Sequence, residues 1–170
     1  MTGMTGEAVL RTDVRTWPDV QALPEPVRSL VVQQEGTATT AQLVAGGVPA
    51  RTVARRVRCG RWQRLHRGVV VLQSGPVRWR QRAHGALLAA GPGSALSHAS
   101  AAYLHGFRAT PGRSVVVSVP AERVVRPHAG LVVRRRRRVP PAWGGCGPWA
   151  PRTRCSTSCT RPPTRTRRWP

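Results

Sequence analysis

The stretch PARTVARRVRCGRWQRLHRGVVVL, residues 49 to 72, carries the side chains best suited to chemistry with a ligand. Its guanidinium groups are permanently charged planar forks. They match phosphate oxygens and the major-groove edge of guanine in a bidentate way. At 100° per residue, Ala50, Val53, Ala54 and Val57 are expected on one side of a helix, with Arg51, Arg55 and Arg58 opposite and Thr52 and Arg56 on the flanks. Acids are scarce around them. Glu7, Asp13, Asp19, Glu25 and Glu35 precede Gly36, and only Glu122 follows. From Gly36 to Ala121 there are twelve arginines and no carboxylate. Local ion pairs are therefore not expected, and these arginines should face water or phosphate.

The whole chain agrees with a polyanionic partner. Its 170 residues carry a formal charge of +22, all 28 basic side chains are arginine, and such a field steers nucleic acid toward the protein. The exclusive use of arginine, beside many alanines, glycines and prolines, also fits a GC-rich coding sequence. No run approaches the roughly 18 apolar residues of a membrane span, so no membrane partner is expected. The opening residues lack a secretory pattern, which points to the cytoplasm.

The elements that would position the arginines can be read in order. Residues 1–25 are polar and aperiodic and read as a flexible lead. Pro26 suits a helix start, Val27, Leu30 and Val31 share a face, and Gly36 suits the end. A second helix follows, with Thr39 or Thr40 as a hydroxyl cap, Leu43 and Val44 facing inward, and Gly46-Gly47 as a stop. Pro49 opens the arginine helix and Gly60 closes it. RWQRLHRGVVVL then supplies two short strands around His66-Arg67-Gly68. Three helices with a glycine turn before the third, followed by a hairpin, predict a winged helix-turn-helix over residues 26–73, with the third helix in the major groove and the hairpin along the backbone. Arg51, Thr52, Arg55 and Arg56 would meet base edges. Arg58, Arg61, Arg64 and Arg67 would hold phosphates.

The stretch GTATTAQLVAGGVPARTVARRVRCGRWQRLHRGVVV resembles the N-terminal winged-helix domain of AbiEi-like antitoxins of type IV toxin-antitoxin systems, common in actinobacteria. The resemblance continues through ALSHASAAYLHGF and SVVVSVPAERVVRPHAGLVVRR, about residues 28 to 138. It implies a regulator that binds double-stranded DNA, represses its own promoter and opposes a nucleotidyltransferase-type toxin.

Residues 76–139 read as a small α+β module. Val77, Gln81, His84 and Leu88 form a stripe on one helix, and Ser94 or Ser97 caps another. SVVVSVP and GLVVRRRRRV read as strands. Relatives lead from this module toward an endonuclease-like domain, whose chemistry needs carboxylates around Mg²⁺. After Glu35 the chain has one acid, so no enzyme and no cofactor are expected. His84, His98 and His105 read as core or capping residues, and Cys146, Cys155 and Cys159 lack zinc-ligand spacing. Arg134 to Arg138 read as a solvated run, with phosphate contact as the alternative.

Residues 140–170 read as a disordered basic tail. Their codons suggest a slipped frame between about Pro140 and Arg152, because codons ending in the first two bases of Cys encode Leu, Val or Met and those ending in the first two bases of TCN-type Ser encode Leu, Ile, Val or Phe. Cys155, Ser156, Ser158 and Cys159 would then form a helical apolar stripe. The expected architecture is thus α+β: a winged helix-turn-helix, a small α+β module and a basic tail. The alternatives are a sequence-blind polycation and an inactive remnant of an endonuclease-like protein.

Overall fold

The computed structural model describes residues 13–126 and 128–137. The expectations for residues 140–170, for Cys146, Cys155 and Cys159, and for Arg138 lie outside these. Among the described residues the chain forms six α-helices and two three-stranded sheets, an α+β fold.

Order begins earlier than the composition suggests. A 3₁₀ turn at Val14–Thr16 and helix α1 at Pro18–Gln21 precede α2 at Val27–Gln33. Asp13 caps the turn by accepting from the Arg15 N–H at 3.0 Å. Val14, Val20 and Leu23 are buried in the first core together with Val27 and Val31. The expectation of a flexible lead over residues 1–25 is corrected here for residues 13–25. Three well-separated apolar side chains are enough to dock this segment, although they show no helical period.

Strand β1, Thr37–Thr39, leads directly into α3, Thr40–Ala45. Thr39 closes a reciprocal cap: its hydroxyl accepts from the Gln42 N–H at 3.0 Å, and Gln42 Oε1 accepts from the Thr39 N–H at 2.8 Å. Leu43 is buried, but Val44 is 44% exposed, so only one of the two aliphatic residues expected to face inward does so. After α4, Ala50–Arg58, strands β2, Gln63–His66, and β3, Val69–Val71, form the expected hairpin. The sheet order is β1-β3-β2, all antiparallel, with Thr37 opposite Val71 and Gln63 opposite the same residue from the other side.

The central strand of this sheet is buried on both faces. Val70 and Leu72 join the helical core, whereas Val69 and Val71 alternate to the other face. That second face is covered by α5, Trp79–Ala90, which lies against β1, β2 and β3 and also against β4 and β5 of the second sheet. Because both sides of α5 are covered, Trp79, Gln81, Ala83, His84, Gly85, Ala86 and Ala90 are all buried. The expected single stripe through Val77, Gln81, His84 and Leu88 does not describe it: Val77 precedes the helix, and Leu88 is only partly buried. Gly85 marks the closest approach, since a Cβ there would stand 2.8 Å from Leu65 Cδ1 of β2.

The second sheet, order β4-β5-β6, contains β4 at Ala95–Leu96, β5 at Val115–Pro120 and β6 at Leu131–Arg136. Helix α6, His98–Leu104, packs on β5. Ser97 is its N-cap residue, without a side-chain bond, while the Ser94 hydroxyl donates to the Leu87 and Gly91 carbonyls at the end of α5. Strands β5 and β6 run parallel, with Val115 opposite Leu131 and Pro120 opposite Arg136. The second core gathers Trp79, Ala83, Ala86, Ala90, Val115, Val117, Val119 and Leu131. No helix among the described residues is long and apolar enough to cross a membrane.

Candidate nucleic-acid interface

The arginine helix is held from behind by a small number of contacts. The Gly46-Gly47 turn lets α3 end against α2. A Cβ at Gly46 would lie 2.5 Å from Val27 Cβ, so no larger residue fits without displacing that helix. The Val48 N–H donates to the Leu43 carbonyl at 2.9 Å and seats Val48 in the core. Pro49 then starts α4, its carbonyl accepting from the Thr52 and Val53 N–H groups. Val53 is 3% exposed and Val57 packs partly buried on the same core. Ala50 and Ala54, expected on this inner face, are exposed instead. The apolar stripe is therefore narrower than the sequence suggests, one buried valine with a partly buried one about a turn later, because α3 and the first core cover only a thin sector of the helix.

Narrow burial leaves a wide outer surface. Arg51, Arg55 and Arg58 are exposed, and Thr52 is half-buried at the edge of the same surface. Arg61 is exposed just after the helix, and Arg64 and Arg67 are exposed on the β2-β3 hairpin. None of these six arginines makes an ion pair among the described residues.

Arg56 behaves differently. Its guanidinium bonds and ion-pairs with Asp19 of α1 and lies over the Trp62 ring, 5.2 Å from the centroid. Asp19 also accepts from the Trp62 indole N–H at 3.0 Å, so a side chain that is 1% exposed has its one polar atom satisfied. The Arg56 carbonyl accepts from the Trp62 backbone N–H at 3.1 Å. Two earlier expectations are corrected by this cluster. Arg56 is not free to meet a base edge, and one arginine of the acid-free stretch is neutralised, by a carboxylate 37 residues earlier. No local pattern in the sequence reports such a pair.

The hairpin carries a half-buried polar group of its own. His66 sits at a register shift between Arg64 and His66, its ring 5.5 Å from that of His128, the residue before the Ala129-Gly130 turn into β6. Burial, and after it the charge of His128, holds the His66 imidazole below its usual range. Cys59, at the end of α4, is an exposed free thiol. Among the described residues no three His, Cys, Asp or Glu side chains gather as metal ligands would.

Residues 25–73 match the family described as the transcriptional regulator AbiEi antitoxin. This segment is similar to that family, over 49 of the chain's 170 residues. The match runs from the residue before Pro26 to the one after Leu72, taking in the first sheet with α2, α3 and α4, and stops before α5. No curated protein matches the chain. The description of that family is of an antitoxin and transcriptional regulator.

Proposed function

We propose that this AbiEi-like protein is an autorepressing regulator that reads double-stranded DNA with α4 in the major groove and the β2-β3 hairpin against the adjacent backbone. The observation that carries the reading is the division of α4 itself. Val53 and Val57 anchor one side, Arg56 is locked to Asp19, and Arg51 and Arg55 stand exposed without a carboxylate partner among the described residues. Arg51, Thr52 and Arg55 are the residues assigned to base edges, and Arg58, Arg61, Arg64 and Arg67 to phosphates. Through its family the protein is further proposed to oppose a toxin of the nucleotidyltransferase type. Its place of action is the cytoplasm.

Footprinting on DNA upstream of the gene tests the reading. A protected site is expected there, with six to eight phosphate contacts giving a log–log salt slope of roughly −5 to −7. Arg55→Ala is expected to weaken that site by about 1 to 3 kcal/mol and to relax choice at one base pair. Equal binding to upstream and random DNA would reduce the protein to a sequence-blind polycation. A slope near zero would remove the electrostatic mode altogether.

A further inference from the structure

The second sheet has a cationic edge that the arginine helix does not explain. In the order β4-β5-β6, strand β6 lies at the edge, and Arg134, Arg135, Arg136 and Arg137 at its end are all exposed. Residues on a strand alternate between faces at roughly 6.6 Å per two residues, so Arg134 and Arg136 share one face of β6, Arg135 lies on the other, and Arg137 follows the strand directly. Their cross-strand partners are Ser118 for Arg134, Val119 for Arg135 and Pro120 for Arg136, none of them acidic. The polar contact they show is Arg136 Nη2 to His98 Nε2 at 3.4 Å, again with a basic group. Among the described residues the carboxylates with a recorded ion pair are Asp19, held by Arg56, and Glu25, held by Arg28.

Charged side chains on a sheet edge do discourage edge-to-edge pairing, but one or two achieve that. Four in succession repel one another, and among the described residues no carboxylate pairs with them. A row of phosphates does. The α5 layer separates this sheet from the first one, and α4 packs on the face of the first sheet away from α5. With the first sheet and α5 between them, successive layers about 10 Å apart put the two cationic surfaces roughly 30 Å apart, too far for one groove and well within a few turns of a duplex.

We propose that the β6 edge is a second phosphate-binding surface, which holds duplex DNA flanking the site read by α4. It rests on the proposed reading of the chain as a duplex binder, and extends it to a module outside the matched family segment. These contacts are sequence-independent, so they lengthen the footprint and steepen the salt dependence without altering base choice.

The test uses the full chain, a mixed-sequence duplex of about 10 base pairs and another of about 30, roughly one and three helical turns. In the combined variant Arg134→Gln, Arg135→Gln, Arg136→Gln and Arg137→Gln, the salt slope on the longer duplex is expected to become shallower by about 2 to 4, and affinity at low salt to fall roughly ten- to hundredfold. Binding to the shorter duplex is expected to stay the same. The corresponding four Lys substitutions should restore the slope, which a merely structural role for arginine would not do. The double variant Arg51→Ala and Arg55→Ala should weaken both duplexes. An unchanged slope for the Gln variant beside a weakened double variant overturns the β6 surface alone, and so does an equal loss on both duplex lengths. No effect from either variant overturns the α4 reading as well.

Discussion

Helices α4 and α5 are of similar make-up, each mixing arginines with small apolar residues, yet the fold uses them in opposite ways. In α4 only Val53 is fully buried, and nearly everything else is turned outward. In α5 seven of the twelve residues are buried, because a sheet lies on each side. What separates them is small side chains. Ala83, Gly85, Ala86 and Ala90 let two sheets approach α5 closely, whereas the arginines at every third or fourth position of α4 need solvent or a ligand. A helix that hides all round has a structural task, and one attached by a narrow stripe leaves a surface to offer.

If that contrast is right, damage to α5 should appear in stability. Trp79 is 5% exposed and meets Tyr103 edge-on at 4.6 Å between centroids. Trp79→Ala is expected to cost about 3 to 5 kcal/mol in chemical denaturation. Trp79→Phe should recover most of it, since the indole nitrogen is buried without a hydrogen-bond partner. A loss under 1 kcal/mol for the Ala variant would mean that α5 is not the shared layer of both cores.

The next largest effect concerns acid. Burial, and after it the Arg80 charge, lowers the His84 pKa to about 3 from an ordinary 6.5. The unfolded chain therefore binds a proton that the folded chain refuses between those values, so stability should fall as pH drops through that window and be fully present above 6.5. By pH 4 the loss is on the order of 3 kcal/mol. His66 is shifted in the same direction and adds to it. His84→Gln should flatten most of the slope, and an unchanged pH profile in that variant would place the acid sensitivity elsewhere.

Much of the N-terminal half was readable because its signals are local. The Thr39 cap with Gln42, the Gly46-Gly47 turn, Pro49 and the Arg67-Gly68 hairpin each act within about four residues, and each appears where the spacing predicts. Strand β1 was missed. Thr37-Ala38-Thr39 is too short to show a period, and it becomes a strand only by pairing with Val69–Val71. The parallel pairing of β5 with β6 and the two-sided burial of α5 were equally invisible, because both depend on partners distant in sequence. Within the candidate interface, helical geometry placed Arg51, Arg55 and Arg58 on the outer surface. It set Arg56 on the flank, yet could not show that Asp19 and Trp62 hold that residue while Arg55 stays exposed.

That pair of neighbours gives the smallest and most discriminating test. Asp19→Ala removes the carboxylate shared by the Arg56 guanidinium and the Trp62 N–H, leaving a half-buried cation and an indole nitrogen without an acceptor. Both side chains of the pair keep some contact with solvent, 22% for Arg56 and 17% for Asp19, so the expected cost is near the lower end for such pairs, about 2 kcal/mol. Arg55→Ala, one residue away and exposed, should change stability by less than about 0.5 kcal/mol while weakening DNA binding. The two variants therefore separate in opposite directions on two measurements. Should Asp19→Ala bind DNA as poorly as Arg55→Ala while remaining as stable as the parent, the cluster would belong to the reading surface, and the division between an anchoring and a reading arginine would be wrong.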